Sequence, residues 1–259
     1  MKQFYKNHKS LINILFVILG IVFLFLVWDV ASRSYNSPYV FPNVIDTFAN
    51  LGLLLTQKSI YLSTLTTLGM ALLAIIFSLI FGFVFGVLSF YIELLRNFLR
   101  PFVSFFKIIP TVCVVILLIL FSKGFASYLI IVFLVIFPIM YESTLNGFIN
   151  IDKYIIESCK MEGFYRPKVF LKVLLPMSFP YINLGLIQSI GLGLKVEIMS
   201  EILIGYGSIR GLGYLIYEAQ SITFNFIDIY SYVIIVIFVY GIIDLLLFLL
   251  RKRIKEKIN

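Results

Sequence analysis

Histidine occurs once in this 259-residue chain, cysteine twice, and charged residues make up only 13% of it. So small a stock of ligating and nucleophilic side chains leaves no metal-binding spacing and no recognisable catalytic constellation, which disfavours a membrane-embedded enzyme. His8 lies in a basic tail, where water or lipid is the expected surrounding. Cys113 falls inside an apolar run and Cys159 in a polar loop, so their separation in depth rules out a disulfide framework. The phosphate-cradling pattern G-x-x-x-x-G-K-[ST] is absent, which excludes nucleotide binding by that route. Linkers rich in Gly or Ser, low-complexity tracts, and halves related by repetition are also lacking, and the last absence weighs against carriers built from inverted repeats.

What remains is apolar. Hydrophobic residues make up 61% of the chain and aromatic ones 17%. A helix needs about 20 residues to cross a hydrocarbon core of about 30 Å. Six stretches qualify: about Leu11 to Trp28, about Leu65 to Tyr91 within the run from Lys58 to Glu93, about Ile108 to Phe121, Phe125 to Tyr141, Leu174 to Leu194, and Ile229 to Leu250. The third is short and is expected to recruit residues from about Phe102, with Lys107 snorkelling. Transmembrane strands would alternate over about ten residues, so these continuous runs exclude a β-barrel. The expected fold class is an all-α polytopic membrane protein, a single domain over residues 1–259 with about six transmembrane helices.

Orientation follows from Lys and Arg, which are retained on the cytoplasmic side. With the N-terminus inside, the inner segments hold Lys2, Lys6, Lys9, Arg96, Arg100, Lys107, Lys153, Lys160, Arg166, Lys168, Lys172 and the cluster from Arg251 to Lys257. The outer ones hold only Arg33, Lys58, Lys123 and Arg210. Both termini are therefore expected in the cytoplasm, in a cell (inner or plasma) membrane. The net charge of +8 is this topology signal and suits anionic inner-leaflet lipid, so no nucleic-acid partner follows from it. The first apolar run, about 18 residues, exceeds the usual 7 to 15 of a cleavable signal core and reads as an uncleaved anchor. Tyr39-Val40-Phe41 beyond it reads as interfacial anchoring.

Two loops carry the information: an inner one over about Glu142 to Val173 and an outer one over about Glu197 to Asp228. In the inner loop, Asp152 can cap a helix running to about Met161. Gly163 permits the turn that ends it, and Pro167 suits the first turn of the next. Such an amphipathic element either lies on lipid or docks in a groove of a partner.

The spacing Glu157-Ser158-Cys159, three residues, Gly163, nine residues, Val173, one residue, Leu175-Pro176 resembles the inner-loop pattern E-A-A-x3-G-x9-I-x-L-P of binding-protein-dependent ABC importer permeases. Ser158 and Cys159 replace the two alanines and Val173 the isoleucine. The resemblance extends over roughly residues 38 to 250, through Ile109-Pro110, Phe137-Pro138, Ser200-Glu201 and Gly211-Leu212-Gly213-Tyr214, and is closest to the nitrate, sulfonate and taurine branch. It implies that Glu157, Ser158, Cys159, Gly163 and Pro176 belong to a coupling helix and its surroundings, inserted in a cytoplasmic ATPase subunit. It also implies an extracytoplasmic substrate-binding protein and a second permease copy, most simply as a homodimer. ATP and Mg would then sit on the partner ATPase, with no cofactor in this chain. The solute would be a nitrate-, sulfonate- or taurine-like anion or a vitamin-related molecule. The rival class is a stand-alone secondary transporter or channel.

Ionisable groups at membrane depth are expensive and call for a reason. Lys195 and Glu201, at the expected outer end of the fifth span, with Gly211 and Gly213 beyond them, are candidates for the translocation pathway or its gate; the alternative is that the two charges pair with each other or reach interfacial water. Glu197, two residues from Lys195, is expected to face water, and Asp244 to pair with a basic residue such as Arg251. Gly205, Gly207, Gly211 and Gly213 around Arg210 suggest a re-entrant or gating loop. Gly82-x-x-x-Gly86 permits close helix packing.

Overall fold

A long apolar run becomes helix in a membrane because helical hydrogen bonding satisfies every backbone N–H and C=O within the segment. The computed structural model describes residues 2–35, 37, 40–121, 124–161, 166–205 and 210–258. The expectations placed on Tyr39, Lys123, Gly163 and Gly207 lie outside the described residues. Among the described residues every regular element is a helix: α1 Lys2–Tyr35, α2 Val44–Leu54, α3 Lys58–Tyr91, α4 Glu93–Ile108, α5 Thr111–Phe121, α6 Phe125–Ile149, α7 Lys153–Met161, α8 Arg166–Val169, a π-helical turn Phe170–Leu174, α9 Leu175–Ile204, α10 Leu212–Ser221 and α11 Phe226–Ile258. Five helices are long and apolar enough to span, and a sixth span is made if α4 and α5 count together. The chain is a multi-pass membrane protein.

Three helices form the centre. At Gly82 and Gly86 of α3, a Cβ atom would lie 2.7 Å from Met140 and from Thr144 of α6 respectively. The glycine pair thus lets two helices approach closely, and the rising order of both numbers makes α3 and α6 parallel. α9 packs against both: Gly185 of α9 abuts Ser143 and Gly193 abuts Ile136 of α6 and Ile75 of α3, a falling order that makes α9 antiparallel to both. Between them lies an apolar core of Ala71, Ile75, Val115, Ile131, Val132 and Ile136. Toward the α7 end, aromatic rings interlock: Phe85 meets Phe137 edge-on at 6.1 Å and Phe81 meets Phe133 at 5.8 Å, contacts that add about 0.5–1.5 kcal/mol each beyond their burial.

The expected third span is not a straight helix. α4 and α5 meet at 105°, and the bend is local chemistry: Pro110 bars its predecessor from helical geometry, and Ile109 is extended at φ −69°, ψ 132°. α4 carries Glu93, Arg96, Asn97, Arg100, Ser104 and Lys107 along one stripe and apolar residues on the other. Lys107 does not snorkel; it forms an ion pair with Glu142 of α6.

Both informative loops are shorter than the sequence implied. α6 continues to Ile149, and α9 continues past Leu194 to Ile204, so Lys195, Glu197 and Glu201 lie within a helix and not at its mouth. α11 likewise begins at Phe226. The entry to α9 is continuous with α8 through the π turn: the Leu175 N–H reaches back to Phe170 O, and Pro176, which has no N–H, follows directly.

At the end away from α7, α2, α10 and α11 close the bundle around Leu51, Leu54, Ile60, Leu212, Ile216 and Tyr232. Asn50 donates to Asp228 at 2.7 Å and Ser231 to Thr47 O at 3.2 Å. α1 stands apart from the core, its apolar stretch wholly unburied. Among the described residues it is tethered toward its C-terminal end, where the Trp28 Nε1–H donates to Pro42 O at 3.1 Å and Ser32 to Phe41 O at 2.8 Å. Trp28 and Phe41 both meet Tyr230, so Phe41 anchors to protein.

Candidate functional site

Three places hold the residues singled out in the sequence, and the first is a buried knot around Glu201. Helix α10 begins at Gly211, which has no side chain to cap its free N–H groups. Glu201 of α9 fills that role: the Gly213 N–H donates to its Oε2 at 2.7 Å, and the Thr67 hydroxyl of α3 lies 2.9 and 3.0 Å from its two oxygens. The Thr67 oxygen in turn accepts the Leu212 N–H at 2.8 Å. A carboxylate at a helix N-terminus is electrostatically favoured, and here it joins three helices.

Gly211 and Gly213 are required by closeness. A Cβ on Gly211 would collide with the Glu201 carboxylate, and one on Gly213 would lie 2.5 Å from Ile198 O and 2.6 Å from Glu201 Cβ. Gly205, at φ +61°, ends α9 in a conformation that L side chains rarely adopt. These glycines let the end of α9 and the start of α10 pack closely, and Glu201 is buried between them at 1% exposure.

Glu197 is the residue that the sequence misplaced. It does not face water: it is completely buried, and neither carboxylate oxygen has a hydrogen-bond partner. The sequence held a signal, because Gly185, Ser189, Gly193, Glu197 and Glu201 recur every four residues and so share one helix face. All five are buried against the core. A stripe of small residues marked the packed face, and the two carboxylates continue it.

Lys195 lies off this stripe. It is exposed, in a groove of about 710 Å³ between α9 and α11, together with Asp244, Tyr240 and Ile198. The expected pairing of Lys195 with Glu201 is not formed, since Glu201 is engaged by Thr67 and Gly213; Asp244 lines the same groove as Lys195, and the Arg251 side chain expected beside it lies outside the described residues. Among the described residues no ion pair joins Lys195 to a carboxylate.

The third place is α7. Asp152 Oδ1 accepts the Tyr154 N–H at 2.9 Å, the capping that the sequence led us to expect. Ile156 and Cys159 turn toward a cluster of Phe148, Ile151, Val169 and Leu174, so Cys159 is half-buried and braces the helix. Tyr154, Glu157, Ser158 and Met161, at i, i+3, i+4 and i+7, form the opposite stripe and are exposed, Tyr154 at 77% and Met161 at 89%. Pro176 lies in the first turn of α9.

Residues 78–259 match the family described as the binding-protein-dependent transport system inner membrane component. The chain belongs to this family. It is 26% identical to the bicarbonate transport system permease protein of Synechocystis sp. over 95% of this chain and 89% of that protein. It is 28% identical to a probable ABC transporter permease protein of Brucella melitensis over 48% of this chain, and spans about half the length of that relative. The taurine transport system permease protein of Escherichia coli is 26% identical over 48% of this chain and 44% of its own length. These relatives place the chain in the nitrate, sulfonate and taurine branch. The fold is also that of the inward-facing MetNI methionine ABC transporter, with TM-score 0.64 at 19% identity over 77% of this chain and 96% of that one. An amino acid ABC transporter chain superposes with TM-score 0.65 at 16% identity, over 80% and 97%.

Proposed function

We propose that this chain is the permease subunit of an ATP-driven importer that passes a small solute across the cell membrane while a separate cytoplasmic subunit hydrolyses ATP. The observation that carries the reading is α7, a short helix with a buried underside and a fully exposed face of Tyr154, Glu157, Ser158 and Met161. A face of that kind, two apolar side chains around a carboxylate on a braced helix, is suited to a groove in a partner. Because α7 packs through Ile156 and Cys159 on Val169 and Leu174 at the entry to α9, a displacement of α7 by the partner would be transmitted to α9, which carries Glu197, Glu201 and Lys195. ATP and Mg belong to that partner. A second copy of the chain and an extracytoplasmic binding protein complete the assembly, with both termini and the α7 end in the cytoplasm. The solute is a small anion of the nitrate, sulfonate or taurine kind or a vitamin-related molecule, and Lys195, exposed in the α9–α11 groove, supplies a positive charge for the anionic choice. The test is reconstitution with the ATPase and binding-protein subunits in vesicles. Uptake should require ATP on the α7 side and be unaffected by collapsing ion gradients.

One observation favours a second reading, a stand-alone ion-coupled carrier or channel. Glu197 is a carboxylate buried at membrane depth without a partner, as in many ion paths. That reading requires the opposite result, uptake by the chain alone that follows an ion gradient and ignores ATP.

A further inference from the structure

Between α4 and α6, at the α7 end of the bundle, lies a pocket of about 610 Å³ whose wall includes Arg96, Asn97, Arg100, Ser104, Glu142 and Asn146. Its charges are unequal. Glu93 pairs with Arg96 at 3.3 Å, and Lys107 pairs with Glu142. Arg100, one turn beyond Arg96, has no carboxylate within ion-pair distance among the described residues, so the pocket holds one uncompensated guanidinium. Neutral groups that can donate surround it, the amides of Asn97 and Asn146 and the hydroxyl of Ser104.

The direction in which α4 turns its faces is what identifies the ligand. An amphipathic helix on a soluble protein points its whole apolar side inward, but α4 does so along one edge, where Leu99, Phe102, Val103 and Phe106 pack on α6 and the central core. The opposite apolar edge points away from the bundle, with Leu94 at 81% exposure, Phe98 at 75% and Phe105 at 55%. The polar stripe faces the pocket instead. A helix so disposed, bent 105° from the apolar helix α5, lies along the membrane interface with its exposed apolar edge in acyl chains. The pocket mouth is then at headgroup depth.

We propose that this pocket binds the phosphate of an anionic phospholipid from the leaflet on the α7 side, with Arg100 as its anchor. A guanidinium offers a planar fork that matches two phosphate oxygens, and Asn97, Ser104 and Asn146 would take the remaining oxygens. A zwitterionic lipid shares the phosphate but brings a cation that Arg100 repels, so preference for the anionic lipid is the signature. The inference concerns lipid alone and stands whether or not the importer reading does.

The test uses the full chain, purified and delipidated in detergent, and counts bound lipid by native mass spectrometry with phosphatidylglycerol or phosphatidylcholine added. Phosphatidylglycerol should be retained about tenfold better, as one charge-assisted contact implies. Arg100→Gln should abolish that preference, and Arg100→Lys should keep part of it. Arg210→Gln, at the other end of the molecule, should leave it intact. Equal retention of the two lipids, or an undiminished preference in Arg100→Gln, overturns the proposal. Displacement of the lipid by stoichiometric inorganic phosphate also overturns it, because the ligand would then be a soluble anion. So does unchanged lipid binding with loss of ATPase association in Arg100→Gln, which would assign Arg100 to a protein contact.

Discussion

At the scale of single residues, Lys195 and Glu201 have separated into different kinds of site. Glu201 accepts from Thr67 and Gly213 at the start of α10, so Glu201→Gln replaces one acceptor oxygen by a donor in a buried knot and should cost about 1–3 kcal/mol. Gly213→Ala should cost a similar amount, about 1–3 kcal/mol by overpacking, because its new methyl meets the Ile198 carbonyl, which is backbone and cannot step aside. Lys195→Met touches neither knot nor core and should leave thermal unfolding in detergent unchanged while lowering uptake. Equal melting shifts for Glu201→Gln and Lys195→Met would contradict this division. Glu197 differs from both. Its oxygens have no donor and it lies one turn from Glu201 on the same face, where like charges are mutually unfavourable. Glu197→Gln should therefore melt at or above the wild-type temperature, and a fall of several degrees would mean that a donor or ion engages the carboxylate.

Among the elements, α7 is where shape and proposed task can be tested apart. Glu157→Lys reverses a charge on the exposed stripe and should leave the bundle monodisperse while substrate-stimulated ATP hydrolysis falls severalfold. Ile156→Asp, on the braced side, should instead loosen α7 itself and increase its susceptibility to protease. Coupled hydrolysis at the wild-type rate in Glu157→Lys would remove that face from the ATPase interface. The cap at Asp152, the close approach at Gly82 and Gly86, and the apolar centres of the spans were legible in the sequence, since each depends on a few neighbouring side chains. The length of α9 was not. Hydropathy reports exposure to lipid, whereas the last turns of α9 are enclosed by α3 and α10, so Glu197 and Glu201 made a buried helix read as a loop. The bend before α5 was half legible: Ile109-Pro110 was visible, but only the angle of 105° reveals that α4 leaves the line of the span.

For the whole molecule, the number of crossings depends on whether the bent pair α4–α5 traverses the membrane. Contacts within the bundle argue that it does. Gly82 meets Met140 and Gly86 meets Thr144, so α3 and α6 run parallel, and two parallel spans require the chain between them to cross back once. α5 has the apolar composition and core contacts for that return, through Val114 and Val115. With α1, α3, α6, α9 and α11 the total is then even, and the two termini must lie on the same side. The proposed placement of both in the cytoplasm rests on the basic clusters at Lys2, Lys6 and Lys9 and at Arg251, Lys252 and Arg253. Single cysteines at Tyr5, Lys153 and Lys257, after replacement of Cys113 and Cys159, should all resist an impermeant thiol reagent in intact cells and react in inverted vesicles. Labelling of Lys257→Cys alone from outside would make the count odd and turn α4–α5 into a re-entrant hairpin, while labelling of Lys153→Cys from outside would place α7 beyond the reach of any cytoplasmic ATPase.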